Sequence, residues 1–93
     1  MATLLAEYKV EDRDRFKEVF DEFADVRREL GVTHHRLLAA ADDPQIVAVA
    51  IEFASLESAR AFAAAPRRIE TLQRAGVIER ADLVLEEIET TAY

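Results

Sequence analysis

The sequence predicts an α+β domain in which one β-α-β unit is used twice, giving a single four-stranded antiparallel sheet with two helices on one face. Three observations predict it. The chain nearly repeats itself at an offset of about 45 residues: Glu7-Tyr8 recurs as Glu52-Phe53, Phe16 as Phe62, and Gly31-Val32 as Gly76-Val77. Those two glycines are the only ones present, and each closes a helix-like run and opens a strand-like one. The β-branched run 46–51 argues against a helical bundle. The order β-α-β-β-α-β is the ferredoxin-like arrangement, here filling residues 1–93 as one domain.

The elements follow in order. Residues 3–10 form a strand that ends in charge. Asp12 is placed to cap the first helix. In that helix Phe16, Val19, Phe20, Phe23, Val26, Arg27 and Leu30 repeat at the spacing of one buried face. Gly31 ends it, because glycine enters the left-handed region at least cost. Residues 33–41 form the second strand, Asp42-Asp43-Pro44-Gln45 a turn, and residues 46–53 the third strand. Ser55 caps a second helix carrying Leu56, Ala59, Phe62 and Ala63. Pro66 breaks this helix, since it lacks an N–H, and opens a second piece that runs to Ala75. Residues 77–81 are expected to be a connection, and Leu83–Glu89 the last strand.

Composition narrows the function classes. There is no cysteine, hence no disulfide framework, thiolate nucleophile or Cys-based zinc site. No segment reads as a signal peptide and no apolar run approaches membrane-spanning length, so a soluble cytoplasmic protein is expected. The net charge of −7, from 19 acidic and 12 basic residues, opposes nucleic-acid binding. The pairs Arg27-Arg28 and Arg67-Arg68 are expected to be solvated helix faces.

Side chains alternate along a strand. If Tyr8 and Phe53 pack beneath the helices, the uncovered face carries Leu5, Glu7, Lys9, Ala48, Ala50 and Glu52. Glu7 and Glu52 are then expected to be neighbours on the two central strands. The hairpin sets residues 34–35 opposite Glu52, so in either register His34 or His35 shares its face. The candidate catalytic residues are therefore His34, His35, Glu52 and Glu7: a histidine as acid or base, Glu52 orienting it, and Glu7 tuning the charge. Arg36 would hold a developing anion, and Tyr8, Leu5, Ala48 and Ala50 would line a ligand space. The bland alternatives stay open: glutamates facing water, a strand-start histidine pair, and Tyr8 as a core aromatic. Adjacent strand histidines point to opposite faces, so no metal site is expected.

The opening strand Leu4–Val10, Asp12, Phe16 to Phe20, Gly31-Val32, the turn Ala41–Pro44, Glu52-Phe53 before Leu56–Phe62, and Gln73–Val77 together resemble the dimeric α/β-barrel superfamily. The resemblance is to small members akin to antibiotic biosynthesis monooxygenases and polyketide cyclases. It implies a homodimer whose two sheets meet as a barrel. It also implies a pocket between sheet and helices or at the barrel mouth, and chemistry without a cofactor on an aromatic or polyketide-like metabolite. The monooxygenases it resembles use asparagine and tryptophan beside the substrate, and the haem-degrading branch adds a helix histidine. This chain has no asparagine or tryptophan, so neither mechanism transfers residue by residue. A non-catalytic ligand-binding or assembly module is the competing reading, with haem or metal binding a weaker third.

Overall fold

In β1 (Ala2–Val10) and β3 (Ile46–Phe53), alternate residues are buried. Leu4, Ala6, Tyr8 and Val10 point inward from one strand, and Val47, Val49, Ile51 and Phe53 from the other. The two strands pair at the centre of a sheet with order β2-β3-β1-β4, every neighbour antiparallel; β2 (Val32–Ala39) and β4 (Val77–Glu86) are the edges. The structure, a computed structural model, describes residues 1–93. Four helices, α1 (Arg13–Glu22), α2 (Ala24–Glu29), α3 (Leu56–Ala64) and α4 (Pro66–Arg74), cover the inner face. The α+β ferredoxin-like class therefore holds, with each crossover helix split in two.

Local chemistry accounts for the ends of these elements. The Asp12 carboxylate accepts the Asp14 N–H at 2.9 Å, and the Ser55 hydroxyl accepts the Ser58 N–H at 3.1 Å. Gly31 and Gly76 take φ of +93° and +78°, where a Cβ is strained. Ala65 is extended, and Pro66 starts α4 at its first position, where its missing N–H costs nothing.

Three expectations need correction. The first helix is not continuous, although it contains no proline or glycine. It breaks at Phe23, whose N–H is shared between the Val19 and Phe20 carbonyls at 3.2 Å each. The Arg27 guanidinium donates to that same Phe20 carbonyl at 2.7 Å, so a side chain has entered the helical ladder. Second, residues 77–81 are strand rather than connection, and pairing with β1 runs to Glu86. Arg80 and Asp82 stand opposite Tyr8 and Ala6, on the helix side, and these inward polar residues hid the alternation. Third, Arg28 and Arg67 are exposed as expected, but Arg27 and Arg68 are buried, at 5% and 2% exposure.

Candidate functional site

The helix-free face falls into rows set by the strand registers. His34 stands opposite Glu52, which stands opposite Thr3. The next row is Arg36, Ala50, Leu5 and Leu83; the one after is Leu38, Ala48, Glu7 and Ala81. The predicted contact of Glu7 with Glu52 is not formed. Thr3, the partner of Glu52, lies four residues from Glu7, or about 13 Å along the strand. Alternation fixed the face of each glutamate, but the offset between strands, which alternation does not report, separates them. His34 is the histidine on this face. Leu5, Leu38, Leu83 and Leu85 are all more than a third exposed, and a groove of about 220 Å³ runs past Leu5, Glu7, Leu38 and Ala48.

His35 faces the other way, opposite Ile51, with its ring edge-on to Phe20 at 5.1 Å between centroids. Burial against the helices pushes its pKa down. The charges of Arg27 and Lys17 push the same way, against Asp21. It therefore shares no face with Glu52.

A second space lies between sheet and helices. Phe16, Phe20, Phe23, Phe62, Ile51 and Leu72 wall it, and Tyr8, Arg27, Arg68 and Thr71 are also in its almost wholly apolar lining. It measures about 370 Å³ with its open mouth, but only about 30 Å³ is wide enough for a water-sized sphere. Phe23 and Thr71 also line a cleft of about 560 Å³ between the helix pairs, bordered by Glu22, Val26, Arg67 and Glu70. Phe23, at the helix break, thus stands between the inner space and the outer cleft.

Tyr8 is a core aromatic that reaches this space. Its hydroxyl accepts from Arg68 Nη2 at 2.8 Å. Arg68 grips Asp82 with two hydrogen bonds, of 2.7 and 2.9 Å, and donates to the Ala63 carbonyl at 3.0 Å. Burial raises the Tyr8 pKa, and the adjacent Arg68 offsets only part of this, so the phenol stays protonated at neutral pH. For Arg68, burial pulls the pKa down, but its bonds to Asp82 and Tyr8 outweigh it and hold the value above the ordinary one. Arg27 differs: burial lowers its pKa, and Asp21 opposes this only in part.

Arg68 was expected on a solvated helix face, Arg27 both on such a face and on the buried stripe, and Asp82 was assigned no role. A signal existed. Arg68, Leu72 and Ala75 repeat at i, i+4 and i+7, as do Phe20, Phe23 and Arg27 at i, i+3 and i+7, so each arginine lies on the buried stripe of its helix pair. No three His, Cys, Asp or Glu side chains converge on a common point.

No family model and no curated protein matches the sequence. Solved structures do match. SnoaB, a cofactor-independent oxygenase from Streptomyces nogalater, superposes with a TM-score of 0.78 at 17% identity, over 96% of this chain and 94% of that one. A Nitrosomonas europaea protein provisionally described as an antibiotic biosynthesis monooxygenase gives 0.72 at 18% identity, over 96% and 100%. One of the same description from Deinococcus radiodurans gives 0.75 at 13%, over 100% and 98%. The class defined is thus the ferredoxin-like fold as built in antibiotic biosynthesis monooxygenase-like proteins, as the sequence resemblance implied. At these identities the likeness shows the fold alone. No helix is long and apolar enough to cross a membrane.

Proposed function

We propose that the protein binds a small planar molecule, aromatic or polyketide-like, as a homodimer, and oxidises or cyclises it without a cofactor. The observation that carries this reading is the inner space walled by four phenylalanine rings, with Tyr8 among its lining residues. Because Arg68 donates to the Tyr8 oxygen, the phenolic hydrogen is left to donate to a ligand carbonyl. Swinging Phe23 outward would join the narrow space to the outer cleft and admit a ring system. SnoaB, of the same fold, is a cofactor-independent oxygenase, which favours oxidation. In such a step the ligand supplies the electrons: a ring CH₂ becomes a carbonyl, and both hydrogens leave in water with the second oxygen atom.

The exposed leucines of the open face support a second copy of the chain there. Enclosed by that copy, His34 would act as base and Glu52 would orient it. Arg36, one row along, would hold the developing anion, and Glu7 would set the charge at the far end of the groove. Ala48, Ala50 and Leu5 leave room above the sheet. His35 enters this scheme only from the helix side. The narrowness of the inner space favours the second reading, a non-catalytic binding or assembly module.

Dioxygen uptake with a panel of tricyclic phenols, alongside sedimentation of the protein, tests the proposal. A dimer with oxygen-dependent quinone formation is expected. Loss of turnover in Tyr8→Phe with His34→Ala intact would put the chemistry inside, and the reverse would put it on the open face. No uptake and no ligand binding with any substrate would remove the enzyme reading.

A further inference from the structure

Buried cations in folded proteins are normally answered by an anion, because desolvating a charge costs far more than one neutral hydrogen bond returns. Arg68 follows that rule with Asp82. Arg27 does not. It is 5% exposed, stacks on Phe20 with its guanidinium carbon 3.8 Å from the ring centroid, and makes a single hydrogen bond, to the Phe20 carbonyl. No carboxylate lies within ion-pairing distance of it; the nearby acids are otherwise engaged, Asp25 with Arg28 and Asp21 with Lys17.

Arg27 is among the residues that line a shallow depression of about 180 Å³ between α2 and the start of β2, and its charge acts on His35, which lines the same depression. Arg28, Thr33, His34 and His35 complete its polar lining, and no carboxylate takes part. In a chain with 19 acidic and 12 basic residues, a hollow lined by two arginines and two histidines is a local reversal of sign. Strand β2 is an edge, so backbone N–H groups on its outer side have no partner in the sheet.

We propose that this depression is an oxyanion-binding site, for a carboxylate or phosphate group, with the Arg27 guanidinium as its buried cation and Arg28 and His35 as its rim. It shares Arg27 with the inner ring-walled space but does not depend on the oxygenase reading. Its size suits one charged group rather than a whole cofactor, since ligand pockets for drug-sized molecules usually exceed about 300 Å³. A bidentate pairing of the guanidinium with two oxygens would give Arg27 what Asp82 gives Arg68. The occupant also reports on itself through His35. From the helices, Arg27 and Lys17 disfavour the charged imidazole and Asp21 favours it. Arg28 and Asp25 sit on α2, and His34 with Glu52 sit on the opposite face of the sheet. An anion beside Arg27 tips that balance, and the His35 pKa rises.

The test is an NMR titration of labelled protein in Bis-Tris chloride, with inorganic phosphate in one series and benzoate in another. Saturable shifts confined to Val32–His35 and the Arg27 side chain are expected, with His35 titrating at higher pH when saturated. Arg27→Met should weaken binding by about tenfold or more, the loss of a charge-assisted bond, and Arg27→Lys should restore part of it. Saturation by phosphate alone or by benzoate alone assigns the site to that oxyanion; saturation by both assigns the shared chemistry. Absence of saturable shifts, or equal affinity in Arg27→Met, overturns the proposal. Should Arg27→Met fail to fold, Arg28→Gln and His35→Gln decide in its place, and unchanged affinity in both overturns it.

Discussion

The two halves of the chain repeat in sequence but not in electrostatics. Each half places one arginine on the buried stripe of its second helix, Arg27 on α2 and Arg68 on α4. In each half the edge strand directs one polar side chain back toward it. From β4 that residue is Asp82, and the result is a doubly bonded ion pair tied to the Tyr8 hydroxyl. From β2 it is His35, an imidazole whose pKa is pushed down, and the arginine is left to a ring face and one carbonyl. Two copies of one backbone plan thus carry a neutralised cation and an unneutralised one. Duplication of a framework does not duplicate its charge chemistry.

The strongest way to break this comparison is to remove the answering carboxylate. Asp82→Ala strands the Arg68 charge beneath the helices. It should cost about 3 kcal/mol, the lower end for a broken buried pair because the Asp82 side chain keeps 23% exposure. Urea unfolding measures it, and a loss below about 1 kcal/mol would show that Arg68 needs no partner. Arg27→Met should matter less. The variant gives up one hydrogen bond, keeps the apolar stem against Phe20, and leaves the Phe20 carbonyl bonded to the Phe23 N–H. The same unfolding experiment should show a change within about 1.5 kcal/mol, in either direction. A cost equal to that of Asp82→Ala would mean the two arginines are equally well answered after all.

The smallest effect is a pH slope from His35. Its folded-state pKa is depressed, so below the unfolded value of about 6.5 the unfolded chain binds the extra proton first. Stability contributed at neutral pH is therefore lost as pH falls from about 6.5 through the folded value, and His35 adds no slope above that window. Comparing unfolding midpoints at pH 7.5 and 5.5, His35→Gln should show a shallower decline than the wild type. An identical decline would remove His35 from the argument.

Much of this fold was legible in advance because its signals are local. Asp12, Ser55, Gly31, Gly76 and Pro66 each act on backbone within three residues of themselves, and all five sit where their chemistry places them. The alternation in β1 and β3 is equally direct, since burial of one face writes a period of two. The site was less legible. The separation of Glu7 from Glu52 depends on an inter-strand offset that no single strand encodes. Arg68, Asp82 and the first half of β4 form one cluster across distant segments, and each part looked like solvent-facing polarity when read alone. The break at Phe23 arises from the side chain of Arg27, four residues later, and not from a residue that disfavours helix.

The poorly filled space behind Phe23 also has a volumetric meaning. Packing that stops short of contact stores volume that solvent reclaims once the chain opens, so the unfolded protein together with its water occupies less room than the folded one. Hydrostatic compression therefore acts on this molecule through the seam between its helices and its sheet, and a ligand that occupied the seam would remove that susceptibility.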